Sequence, residues 1–165
     1  MNSSYKSRLL RNLCDQQLST ATREQLIGVA DRAEKLISEL PVNEKLGFGQ
    51  IWQRLSGNAD RFDSTNSNEQ LNGQILQHDL RLLVEDLTDA ANINSDEVIE
   101  PVYTVKTLGT HLQVSSKTIS RWRNNGLVSR KIIIDGRKRV AFLASTVDRF
   151  VAKNRHRVER GERFS

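Results

Sequence analysis

The sequence predicts a mainly α protein, with an N-terminal helical segment followed by a C-terminal part in which short helices flank one two-stranded β-hairpin. Three observations predict it. Apolar residues recur at three- and four-residue steps through much of residues 1–91. Two runs of β-branched and aromatic residues, KIII and RVAFL, lie around the dipeptide Asp135-Gly136. Charge also changes sign along the chain: residues 1–103 carry 10 Lys+Arg against 16 Asp+Glu, and residues 104–165 carry 15 against 4.

Residues 22–40 read as an amphipathic helix, because Leu26, Ile27, Val29, Ala30, Ala33, Leu36, Ile37 and Leu40 share one face before Pro41 ends it. A shorter helix precedes it around Leu9, Leu10, Leu13 and Leu18. Another carries Ile51, Trp52 and Leu55 after a flexible Gly47-Phe48-Gly49. Residues 56–69, rich in Ser, Asn, Asp and Gly, read as a loop. A long helix is expected from about Glu69 to Ala91, its stripe made by Leu71, Ile75, Leu76, Leu80, Leu83, Val84 and Leu87. Its Asp79, Glu85, Asp86 and Asp89 are expected on the solvent side.

Residues 92–102 lack a helical stripe and contain Pro101, so they are expected to link an acidic helical domain (1–91) to a basic domain (103–165). The basic part opens with a helix near Thr104 whose contacts are Val105, Leu108 and Leu112. A turn at Val114-Ser115 leads to Ser116 as expected N-cap of a second helix, with Ile119 and Trp122 on its inner face. Gly126 suits the C′ position after it. The hairpin follows, with Asp-Gly favouring a type I′ turn. Ser145 and Asp148 then resemble a capping box opening a last helix that buries Val147, Phe150 and Val151. Helix, turn, helix, hairpin, helix is the order of a winged helix-turn-helix.

In such a module the second helix enters the major groove, and its N-terminal residues reach base edges. The inward setting of Ile119 and Trp122 turns Lys117, Thr118, Arg121 and Asn125 outward as candidate DNA contacts, and Ser116 at the helix start joins them. Arg can bond guanine at two points, Asn can do so with adenine, and Thr can touch a base or a phosphate. Arg137, Lys138 and Arg139 beside the hairpin tip suit phosphate tracking or the minor groove. Arg130 and Lys131 offer further phosphate contacts. Arg149, Lys153, Arg155, Arg157, Arg160 and Arg163 form a basic tail that suits either flanking DNA or solvent.

The remaining composition narrows the function. The chain has 165 residues and 18.8 kDa, enough for one ordinary domain or two very small ones. With 37% hydrophobic and 5% aromatic residues, it predicts several small cores and no large enzyme. Apolar runs of four or five residues exclude a membrane-spanning helix, and no signal-peptide core is present, so a cytoplasmic protein is expected. Cys14 alone cannot form an internal disulfide. With the scattered His78, His111 and His156, expected at the surface, it builds no common zinc site. The motifs GxxxxGK[ST], GxSxG, HExxH and CxxC are absent. No catalysis, cofactor, metal or small-molecule ligand is expected.

The stretch VKTLGTHLQVSSKTISRWRNNGLVSRKIIIDGRKRVAFLASTVDRFV resembles the winged helix-turn-helix of MerR-type regulators and phage excisionases. More narrowly, HDLRLLVEDLTDAANI, KTISRWRNNGLVSR, DGRKRVAFL and RVERGERFS are similar to the N-terminal part of a bacterial group of RNA polymerase sigma factors, over about residues 8–165. In that group an acidic helical segment and a MerR-like module precede the regions that bind core polymerase and promoter elements. The resemblance implies a partner in double-stranded DNA, a role in transcription initiation and a nucleoid-associated location. The family pattern runs on past RFS into polymerase-binding helices, so the expectation is the N-terminal portion of a sigma factor, or a truncated one. Two alternatives stay open: a self-standing MerR- or excisionase-like regulator, and a protein–protein adaptor working through its acidic helices.

Overall fold

The computed structural model describes residues 5–40, 43–57 and 69–155, in two compact units, 1–91 and 92–165. The fold is mainly helical.

The first unit contains helices α1 (Arg8–Thr20), α2 (Arg23–Glu39), α3 (Phe48–Ser56) and α4 (Gly73–Ala91), with two short strands, β1 (Lys45–Gly47) and β2 (Gln70–Asn72). α4 packs against α1 and α2, and α3 packs against α2. Leu13, Ala30, Leu36, Ile51, Leu55, Leu80 and Leu83 fill the interior with 1% exposure or less. α2 begins where its sequence directs. The Thr22 side chain accepts the Gln25 N–H at 3.2 Å, and Gln25 Oε1 accepts the Thr22 N–H at 2.8 Å, a reciprocal capping box.

The structure corrects several expectations here. Gly47-Phe48-Gly49 is not a loose hinge: Gly47 ends β1, and Phe48 opens α3 almost fully buried. The long helix starts at Gly73, because Gln70–Asn72 pairs antiparallel with Lys45–Gly47 and Asn72 Oδ1 accepts the Ile75 N–H at 2.8 Å. Of the expected loop, residues 58–68 lie outside the described residues. Asp79, expected in solvent, is wholly buried: it lies three residues after Leu76 and four before Leu83, on the packed face of α4. Its carboxylate accepts the backbone N–H groups of Lys6 and Ser7 at 2.9 and 2.7 Å, and His78 Nδ1 lies 2.8 Å from it. His78 is therefore half-buried rather than a surface residue. Asp86 likewise turns inward, accepting the Tyr5 hydroxyl at 2.9 Å.

The second unit contains β3 (Val102–Thr104), α5 (Val105–Leu112), α6 (Ser116–Arg123), β4 (Arg130–Ile134), β5 (Arg137–Leu143) and α7 (Ala144–Lys153). β4 and β5 form the expected antiparallel hairpin, with Ile134 opposite Arg137 and Arg130 opposite Ala141. Asp135 at φ 52° and Gly136 at φ 79° both take the left-handed backbone that a type I′ turn requires. The sheet has three strands rather than two, in the order β3-β5-β4, because Val102–Thr104 adds to the other edge of β5. Leu108, Val114, Ile119, Trp122, Leu127, Phe142, Val147 and Phe150 form the core that joins α5, α6, α7 and the sheet. The Trp122 and Phe150 rings lie 5.6 Å apart, tilted by 43°.

Residues 92–102 are more than a linker. The carbonyl of Ile93, 6% exposed, accepts the Ile133 N–H at 2.8 Å, and Asn94 bridges Ile133 in parallel. A 3₁₀ turn follows at Ser95–Glu97, and Val102 already belongs to β3. These residues pair edge groups of the sheet that would otherwise need water. The start of α7 is also built differently from the expected Ser145–Asp148 box. Glu100 caps it from the segment before β3, accepting the Ser145 N–H at 2.7 Å and the Ser145 hydroxyl at 3.1 Å.

Candidate nucleic-acid interface

α5 and α6 are held at a fixed angle by a short turn that their sequence specifies closely. Gln113 ends α5 in the left-handed conformation at φ 59°, and the Val114 N–H returns to the Gly109 carbonyl at 2.9 Å. Gly109 is required at this approach, since a Cβ there would stand 2.8 Å from the Val114 carbonyl oxygen. The N-cap of α6 is Ser115 and not Ser116: the Ser115 side chain accepts the Thr118 N–H at 3.1 Å. Ser116 is instead the first helical residue, exposed beside an open groove lined by Val105, Lys106, Gly109, Thr110 and residues 113–116.

Lys117 and Arg121 are both exposed on α6, one turn apart on the face opposite Ile119 and Trp122. Asn125 is exposed too, but it lies beyond the last helical residue, and its side-chain amide donates to the Arg121 carbonyl at 2.8 Å. Gly126, expected at C′, sits one place later, since the C-cap is Asn124; its φ is 109°. Thr118 is the clear departure. At 3% exposure it cannot touch a duplex directly, because it precedes Trp122 by four residues and so shares the buried face. Its hydroxyl nevertheless reaches the rim of that face. It lies 3.1 Å from Ser115 Oγ and accepts Arg121 Nη2–H at 3.2 Å.

The hairpin presents Arg137, Lys138 and Arg139, all exposed, but does not gather them. Strand alternation puts Arg137 and Arg139 on one face of β5 and Lys138 on the other. There the Lys138 ammonium donates to Asn92 Oδ1 at 2.7 Å. Arg130, offered by sequence as a phosphate contact, is only 7% exposed and is withdrawn from any surface role, while Lys131 is half-buried. Arg149 and Lys153 are exposed on α7, whereas His156, Arg157, Arg160 and Arg163 lie outside the described residues. His111 is exposed and stacks on Tyr103 with ring centroids 4.8 Å apart.

A second cluster of ionisable groups lies in the first unit. Tyr5, Cys14 and Asp86 meet there, Cys14 Sγ standing 3.9 Å from the Asp86 oxygen that Tyr5 also holds. Burial pushes the Cys14 thiol up to about 11; the Tyr5 hydrogen bond opposes this and the Asp86 charge adds to it. The thiolate is the nucleophilic form, so at neutral pH this buried sulfur is a poor nucleophile. Burial likewise raises the Tyr5 phenol and the Asp86 carboxyl above their ordinary values. Among the described residues, no group of three or more His, Cys, Asp and Glu could hold a metal ion, and no helix is long and apolar enough to cross a membrane.

Ser115, Glu100 and Asn92 are structural contributors that sequence reading missed. Ser115 alone had a local signal, the Ser-x-x-Thr spacing to Thr118, which fits a cap as well as Ser116 does. Comparison with protein families, curated proteins and solved structures finds no match to this chain.

Proposed function

We propose that the chain is a sequence-specific DNA-binding protein acting in transcription initiation, with 103–165 as a MerR-like winged helix-turn-helix. In this reading α6 is the recognition helix and the β4–β5 hairpin the wing. The observation that carries it is the pairing of exposed Lys117 and Arg121 on one face of a helix whose other face is anchored by Ile119 and Trp122. A rigid helix presenting cations on one face is what major-groove docking needs. The strong positive balance of residues 104–165 supplies the attraction to phosphate. The sequence resemblance to the N-terminal part of sigma factors extends the proposal to core RNA polymerase as a partner and to the bacterial nucleoid as the location.

A salt titration of binding to a duplex tests the DNA reading. Neutralising roughly five to seven phosphates gives a log–log slope of about −4.5 to −6.3. A slope near zero refutes it. Capture of core polymerase by this chain, compared with one extended past Ser165, tests the sigma-factor extension; failure of both to bind removes it.

A further inference from the structure

We propose that Thr118, although buried, is the positioning residue that sets the reading direction of Arg121. The inference rests on the assignment of α6 as a recognition helix. The Thr118 hydroxyl accepts Arg121 Nη2–H at 3.2 Å and shares a hydrogen bond with Ser115 Oγ at 3.1 Å. Ser115 Oγ in turn accepts the Thr118 N–H at 3.1 Å. The cap of the helix and the guanidinium are thereby joined in one chain of hydrogen bonds.

Two consequences follow from this geometry. Arg121 stands in the last turn of α6, yet its guanidinium is drawn back to the level of Thr118, toward the N-terminal end that meets base edges. A guanidinium also has five N–H donors in a rigid fork. One bond to Thr118 therefore leaves enough for a two-point contact with guanine O6 and N7. Thr118 is 3% exposed, so its hydroxyl sits on a packed support that moves little, whereas a free Arg side chain samples many rotamers. Holding it in advance removes part of the ordering cost of binding.

The test uses the full chain and a pool of randomised duplexes. Wild type enriches a motif, and the guanine whose replacement costs wild type but not Arg121→Ala marks the Arg121 contact. Thr118→Val keeps shape and burial but removes the hydroxyl. It is expected to lose discrimination at that guanine by about three- to tenfold, the size of immobilising one side chain. Its affinity for a duplex lacking the motif should stay unchanged. Thr118→Ser should restore discrimination, which a merely structural role would not predict. Undiminished discrimination in Thr118→Val overturns the inference while DNA binding stands; absence of any enriched motif for wild type overturns both. Should Thr118→Val fail to fold, side-chain nitrogen NMR of wild type decides. Restricted rotation of the Arg121 guanidinium in the free protein supports the inference, and free rotation overturns it.

Discussion

The Asp79 carboxylate accepts the Ser7 backbone N–H at 2.7 Å, joining the middle of α4 to the start of α1 across 72 residues of sequence. It is wholly buried and also accepts the Lys6 N–H at 2.9 Å. Two backbone donors at the entry to α1 thus depend on one side chain. Asp79→Ala is expected to destabilise the first unit by about 2–3 kcal/mol, the cost of stranding buried donors of a charge-assisted bond. Urea unfolding followed by circular dichroism measures it, and a loss under 0.5 kcal/mol would contradict the role.

The Tyr5–Cys14–Asp86 cluster makes stability depend on alkaline pH. Burial raises the Cys14 thiol to about 11, so the native state keeps a proton that the unfolded chain releases near its ordinary value of about 8.5. The stabilisation is therefore complete below that ordinary value and is lost as pH rises toward 11. The Tyr5 phenol, also raised by burial, acts in the same direction at higher pH. Unfolding free energy should fall through this window, and Cys14→Ala should fall less steeply in parallel denaturant titrations.

Glu100→Ala should loosen α7, since the Ser145 N–H and hydroxyl lose their acceptor. A lost helix cap typically costs about 1 kcal/mol. The melting temperature of the second unit should drop, and Glu100→Gln, which retains an acceptor oxygen, should drop less.

Gly109→Ala places a methyl group against the Val114 carbonyl, which is backbone and cannot swing aside. Overpacking of this kind costs about 1–3 kcal/mol. Because the same turn sets α6 against α5, affinity for duplex DNA should fall together with stability.

Three variants separate anchoring from contact within the DNA-binding proposal. Trp122→Ala should cost about 3–5 kcal/mol, as removal of a large core aromatic does. Arg121→Ala should leave the fold intact and cost about 1–3 kcal/mol at one base position, relaxing specificity there. Arg137→Ala should weaken binding to every duplex alike. Equal effects of Arg121→Ala on all sequences would oppose base reading by α6.

The sequence by itself determined the helices with long apolar stripes, the type I′ turn at Asp135-Gly136 and the inward face formed by Ile119 and Trp122. These follow from periodicity and turn chemistry, which act over a few residues and so can be read locally. The solvent exposure of Lys117 and Arg121 follows from the same periodicity. Tertiary structure decided the rest. Val102–Thr104 is too short to announce itself as a strand and exists because β5 offers an edge to pair with. Asp79, Asp86 and Glu100 look like surface charges until the backbone or hydroxyl donors they satisfy arrive from 45 to 81 residues away. Thr118 is 3% exposed although Ile119 and Trp122 suggest an outward setting for it, because it precedes Trp122 by four residues and falls on the same helix face. A buried polar group is stable only with its partner, and that partner is chosen by the folded chain rather than by neighbouring sequence.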